Sequence, residues 1–100
     1  MEEKSDFSFN EHFVYVLFSL KDKRLYVGFT TNLKSRLSEH NSGKSSSTRN
    51  RRPLKLIYYE VFTNKADAKA REVFLKSGFG RGQLKKVLGR TLAELGYKNL

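Results

Sequence analysis

The sequence predicts an α+β fold: a small three-stranded, mostly antiparallel sheet flanked by helices, in the order β-β-α-β-α-α. Three observations predict it. Phe13–Leu20 and Arg24–Thr30 are two alternating, β-patterned runs joined by the polar connector Lys21-Asp22-Lys23, which has hairpin length. A third such run, Leu54–Phe62, stands between two helical patterns, and each helical pattern carries its own start and stop signals. One hundred residues fit a single domain, and a thin sheet needs helices against it to bury its apolar residues. The expected organisation is a flexible acidic tail over 1–11, one domain over 12–95, and a short C-terminal tail over 96–100.

Taken in order, the tail shows no periodicity, although Phe7 and Phe9 offer apolar side chains for docking. In the first run Val14, Val16, Phe18 and Leu20 share one face, and Phe13, Tyr15, Leu17 and Ser19 the other. The second run sets Leu25, Val27 and Phe29 opposite Tyr26 and Gly28. A helix then starts near Thr30 or Thr31, both good N-caps, with Leu33 and Leu37 directed inward and Arg36 and His40 outward. Gly43 stands where a C-cap belongs. Lys44 to Pro53 reads as a low-complexity basic loop with four cations and no acid.

In the third run Ile57, Tyr59 and Val61 alternate with Leu56, Tyr58, Glu60 and Phe62. Asn64 caps a second helix with Asp67 at its third position. The predicted inward stripe of that helix is Ala66, Ala70, Val73, Phe74 and Ser77, with Gly78 as the stop. Gly78-Phe79-Gly80-Arg81-Gly82 reads as a glycine-punctuated turn. A last helix carries Leu84, Val87 and Leu88 and runs past Gly89 to Leu95.

Composition narrows the function. The absence of cysteine excludes disulfides, thiolate metal sites and cysteine nucleophiles. No apolar run approaches the ~20 residues of a membrane-spanning helix, and the polar, acidic start does not read as a secretion signal, so the expected location is the cytoplasm with no membrane partner. Net charge is +10 and uneven. Residues 1–11 hold four acids against Lys4 alone, whereas the rest carries 19 Lys and Arg against six acids. That is the electrostatic footprint of a nucleic-acid binder.

Chemistry-bearing residues crowd into Phe13–Asn41. Tyr15 and Tyr26 lie on neighbouring strands. Gly28 follows Tyr26 by two, and a strand glycine often marks a place where another group must come close. Arg36 and His40 stand one helical turn apart and can face one substrate. Val14-Tyr15-Val16, Tyr26-Val27-Gly28 and Arg36 in this order resemble the GIY-YIG nuclease domain, especially its stand-alone bacterial members. The resemblance continues through the Arg51–Glu60 stretch and Ala70-Arg71-Glu72 to Leu75-Lys76-Ser77-Gly78, covering roughly residues 12 to 90.

The resemblance implies a metal-dependent endonuclease acting on DNA, with Mg²⁺ or Mn²⁺ as cofactor. It implies that the Tyr15 and Tyr26 hydroxyls line the active site and one helps deprotonate water. It makes Arg36 the group that stabilises the transition state and Glu72 the metal ligand. A free phenol has a pKa near ~10, so Arg36 and the metal would have to lower it. A guanidinium fork suits the charge that gathers on a scissile phosphate. A hard cation can take one carboxylate and fill its shell with water and phosphate.

Glu60 is the rival ligand, read as structural or supporting. His40 is read as a proton shuttle or phosphate contact. Thr30 heads a helix N-terminus suited to phosphate, and Lys44, Arg49, Arg51 and Arg52 suit backbone contacts. Phe29 stands where some relatives have a lysine, which removes one cation from the site. Val14 and Val16 replace the namesake Gly and Ile. Each residue also has an ordinary reading: strand aromatic, solvated arginine, helix cap, or glutamate paired with Lys76.

Two other classes compete: a nucleic-acid-binding module of the same fold without useful activity, and a basic assembly protein that uses RNA as its partner. RNA therefore stays open beside DNA, as does monomer against homodimer.

Overall fold

The computed structural model describes residues 11–97. The expected acidic tail up to residue 10, with Phe7 and Phe9, lies outside the described residues, as do residues 98–100 of the expected C-terminal tail. The sheet contains β1 (His12–Ser19), β2 (Leu25–Thr30) and β3 (Leu54–Phe62). Its order is β2-β1-β3 with both pairings antiparallel, so β1 is central and β2 is an edge. The helices are α1 (Leu33–Ser42), α2 (Lys65–Lys76), α3 (Gly78–Val87) and α4 (Gly89–Leu95), with a 3₁₀ turn at Arg49–Arg51.

Strand alternation divides the interior into two cores. Val14, Val16, Phe18, Leu25 and Val27 pack with Ala68, Leu75, Leu84 and Leu92 from α2, α3 and α4. On the opposite face Tyr15, Leu17 and Leu54 pack with Tyr26, Leu56 and, from α1, Leu33 and Leu37. The pairing of β1 with β3 shifts register between Val16 and Leu17, where Tyr58 and Leu56 are the respective partners and Ile57 is the extra residue. Such a bulge puts two residues opposite one. Beyond it Tyr58, Glu60 and Phe62 share a face as expected, but Leu56 lies on the α1 side. Leu20 falls outside β1 and is exposed.

Local signals set most helix ends. The α1 cap is Asn32, whose Oδ1 accepts from Ser35 N at 3.1 Å. Thr30 and Thr31 are not the cap. Thr30 Oγ1 instead accepts from Asn32 N. Gly43 closes α1 at φ 85°, a left-handed conformation that glycine adopts without penalty. Asn64 caps α2 through Asp67 N at 3.0 Å.

Three expectations about the second half are corrected. The buried residues of α2 are Ala68, Glu72 and Leu75, an i, i+4, i+7 stripe, whereas Val73 and Phe74 are exposed. Gly78–Gly82 is no turn: Ser77 caps α3 through Gly80 N, and the glycines form its first turns. Gly80 is needed for close packing, since a Cβ there would sit 2.0 Å from the Phe74 carbonyl oxygen. The final helix is also split, because Leu88 at φ −109°, ψ 24° separates α3 from α4.

Candidate active site

Tyr15 and Gly28 are directly paired across β1 and β2. A Cβ on Gly28 would lie 2.4 Å from both Cζ and Oη of Tyr15. The tyrosine ring therefore lies across the bare glycine toward the sheet edge, which is why this strand position carries no side chain. Tyr26 stands beside it, with ring centroids 6.4 Å apart. Its hydroxyl accepts from Ser47 Oγ.

His40 completes the cluster from α1, but not as the sequence predicts. It is fully buried, not outward. Its ring meets Tyr15 and Tyr26 edge-on at 5.7 and 5.2 Å. Leu33, Leu37 and His40 follow the spacing i, i+4, i+7, so His40 occupies the third place of the inward stripe. Burial is tolerated because both ring nitrogens have partners: Nε2 with Tyr15 Oη at 2.8 Å and Nδ1 with Thr48 Oγ1 at 2.6 Å.

Thr48 is a site residue that residue type alone does not reveal. It comes from the serine-rich basic loop, yet it is fully buried, and Ser45 beside it is buried too. Placement near helix α1 was the missing signal, since Ser45 also accepts from Arg36 Nη2 at 3.3 Å. Arg36 is half-buried and donates through Nη1 to Glu39 Oε1 at 2.8 Å.

The charge states follow from burial. Burial pushes the Tyr15 phenol up to about 12; a hydrogen bond to Arg36 pulls it back, while neighbouring Tyr26 and Glu72 add to the rise. Arg36 thus acts in the expected direction, but by itself it does not offset the desolvation of the phenolate. Burial likewise drives His40 down to about 4, with Arg36 reinforcing and Glu39 opposing the shift. At neutral pH the site holds a neutral imidazole and an intact phenol. The hydrogen-bonded chain runs either from Tyr15 through His40 to Thr48, or in the reverse sense.

Glu72 approaches from α2 and lies near enough to Tyr15 for its charge to resist ionisation of the phenol. It is buried. Its Oε1 pairs with Lys69 at 3.1 Å and its Oε2 with Lys76 at 2.9 Å. Burial works against its charge, but the bonds from Lys76 and Lys69 outweigh that and hold the carboxyl below its usual range. The ammonium of Lys69 also lies 4.7 Å from the centroid of Phe29. Lys69 thus brings a cation against the Phe29 ring from α2.

Glu60 is bound up elsewhere, accepting two bonds from Arg71 at 2.8 and 2.9 Å and one from the Tyr58 hydroxyl. Among the described residues no three His, Cys, Asp or Glu side chains are grouped to hold a metal. Of the remaining candidates, Lys44, Arg49 and Arg52 are exposed on the loop that borders α1. Arg51 is not free: it is clamped by Asp22 through Nε at 2.6 Å and Nη2 at 3.2 Å.

This arrangement coincides with a sequence match to the GIY-YIG catalytic domain over residues 11–86. The chain belongs to the GIY-YIG family. It is 42% identical over 79 residues to a UPF0213 protein of Staphylococcus haemolyticus, covering 78% of this chain and 94% of that protein. A UPF0213 protein of Clostridium perfringens is 38% identical over 88 residues, covering 87% and 94%. The solution structure of a UPF0213 protein from Bacillus halodurans is 35% identical, with a TM-score of 0.49 and coverage of 77% and 84%. Membership makes this a nuclease-family domain with nucleic acid as its substrate class. No helix among the described residues is long and apolar enough to cross a membrane.

Proposed function

We propose that the chain is a metal-dependent endonuclease that hydrolyses phosphodiester bonds of DNA. One observation carries the reading: Tyr15, Tyr26, Arg36 and His40 converge beside Gly28, with the charge of Glu72 reaching Tyr15 from α2. Glu72 fits a hard cation such as Mg²⁺ or Mn²⁺. It offers two carboxylate oxygens that are ionised at neutral pH, and the lysines on them are half-exposed and free to swing outward. Bound there, the cation would supply Lewis-acid polarisation of the scissile phosphate.

The protein's own groups do the rest. Arg36 binds the phosphate and stabilises the charge that accumulates on it. Its position beside His40 has a second effect. The charge of Arg36 helps keep His40 neutral, so an anionic phosphate on the guanidinium removes part of that influence and makes the imidazole a better acceptor. Tyr15, too weakly acidic to act as a phenolate, passes a proton: its oxygen takes one from water as its hydroxyl proton moves to His40 Nε2. In this sense of the chain Nδ1–H donates to Thr48 Oγ1, which fixes the tautomer. Tyr26, less buried, borders the substrate side.

The competing reading, a binding module without useful activity, draws support from the same charge states, since neither the phenol nor the imidazole is a strong base in the free protein. Incubation with supercoiled plasmid and a labelled branched duplex decides between them, with Mg²⁺, with Mn²⁺ and with chelator. Metal-dependent nicking is expected. Tight, salt-sensitive binding without cleavage under any of these conditions favours the binding module.

A further inference from the structure

Away from the tyrosine cluster, Asp22, Arg24, Leu25, Arg51 and Arg81 line a polar cleft of about 410 Å³. Its walls come from the β1–β2 turn, the 3₁₀ turn and the first turns of α3, so sequence proximity does not reveal it. The turn is built rigidly. The buried Ser19 hydroxyl donates to the Arg51 carbonyl at 2.6 Å and accepts from Lys21 N and Asp22 N. Asp22 then clamps Arg51 from one side, while Arg51 Nη2 also reaches the Leu25 carbonyl.

Arg24 and Arg81 have no side-chain partner among the described residues. Three guanidinium groups facing one carboxylate leave the cleft with an excess of positive charge. Guanidinium forks match phosphate oxygens, and of the three only Arg51 is held in place, by Asp22.

We propose that this cleft is a second phosphate site, which holds a backbone phosphate of the bound nucleic-acid strand at a fixed distance from the cleavage point. That ligand assignment rests on the nuclease reading. Leu25 precedes Gly28 by three residues on β2, a span of ~10 Å along an antiparallel strand. The phosphate it holds is therefore one close to the scissile linkage on the same strand. Arg51 is the anchor held by Asp22, and Arg24 and Arg81 are the groups that close on the phosphate. The cleft thereby sets which linkage of the strand lies over Tyr15 and Arg36.

The test compares wild type with Arg24→Ala/Arg81→Ala and with the charge-matched Lys86→Ala/Arg90→Ala. Inorganic phosphate is titrated while arginine Nε–H resonances are observed, and binding of a labelled 12-nucleotide strand is measured against salt. Phosphate is expected to shift the Arg24, Arg51 and Arg81 signals. The cleft double variant is expected to bind the strand about tenfold more weakly, with its salt slope reduced by about 0.7, the share of one phosphate on a single strand. Scanning a single neutral methylphosphonate along the strand should weaken wild type most at one linkage and leave that variant unaffected there.

Equal losses in the charge-matched control would overturn the proposal. Phosphate shifts at the cleft with unchanged strand affinity would also overturn it, and would assign the cleft to a small free phosphate ligand. Binding is read without turnover, so a protein that cleaves nothing refutes the nuclease reading but leaves this result interpretable.

Discussion

The two faces of the sheet are made by alternate residues of the same strands, yet they serve different ends. On the α2–α4 face, Val14, Val16, Phe18, Leu25 and Val27 meet Leu75, Leu84 and Leu92 in an apolar core. On the α1 face the neighbouring residues are Tyr15 and Tyr26, and they meet His40 and Thr48 in a hydrogen-bonded cluster. The first face gains stability simply by removing apolar area from water. The second is stable only while each buried polar atom keeps its partner. A one-residue displacement along β1 would exchange the two, so register protects stability and chemistry together.

Removing bulk from the apolar face should cost the most stability and touch chemistry least. Leu75→Ala is expected to destabilise by ~2–5 kcal/mol in denaturant melts, with cleavage per folded molecule near wild type. A large loss of activity at full folding would mean the faces are not separable.

The polar face should make stability depend on pH. His40 titrates near 6.5 when unfolded and at about 4 when folded, so between those values the unfolded chain binds more protons. Stability is therefore complete above ~6.5 and falls as pH drops toward ~4, by an amount on the order of 3 kcal/mol. Melts across pH 4 to 8 should show this slope in wild type and lose most of it in His40→Gln. An unchanged slope in the variant would place the titration elsewhere.

Gly28 is where the faces constrain each other. Gly28→Ala forces a methyl into the buried Tyr15 ring, and overpacking of this kind costs ~1–3 kcal/mol. Because the displaced group is Tyr15, cleavage should fall as well. If the variant is stable and fully active, the ring has room that the packing denies.

The smallest expected effect is at Thr48. Thr48→Val keeps the shape but leaves His40 Nδ1 without its partner, a loss of ~1–2 kcal/mol. Thr48→Ser should restore it. Imidazole ¹⁵N shifts should change in the valine variant and return in the serine one, which a purely packing role would not produce.

Much of this was legible in the sequence. The three strands, the α1 and α2 regions and the Asn64 and Gly43 caps follow from alternation and local hydrogen-bond chemistry. The misplacements share a cause. His40 and Glu72 each occupy a place in a buried stripe that an apolar residue would ordinarily fill. Sorting by polarity therefore turned His40 outward and shifted the α2 stripe to Val73 and Phe74. Gly80 departs from the sequence pattern for a related reason: close contact with α2, and not a turn, excludes a side chain there. Thr48 and the arginine cleft depend on contacts across long sequence separations, which no local pattern encodes.

The most direct measurement is single-turnover cleavage of a labelled duplex with Mg²⁺, by wild type, Arg36→Ala and Glu72→Ala, with duplex binding measured in parallel. Metal-dependent cleavage is expected in wild type and should drop ~10²–10³-fold or more in each variant, while binding stays within a few-fold of wild type. Cleavage that survives Glu72→Ala would contradict the placement of the site. Binding without metal-dependent cleavage in wild type would contradict the nuclease reading itself.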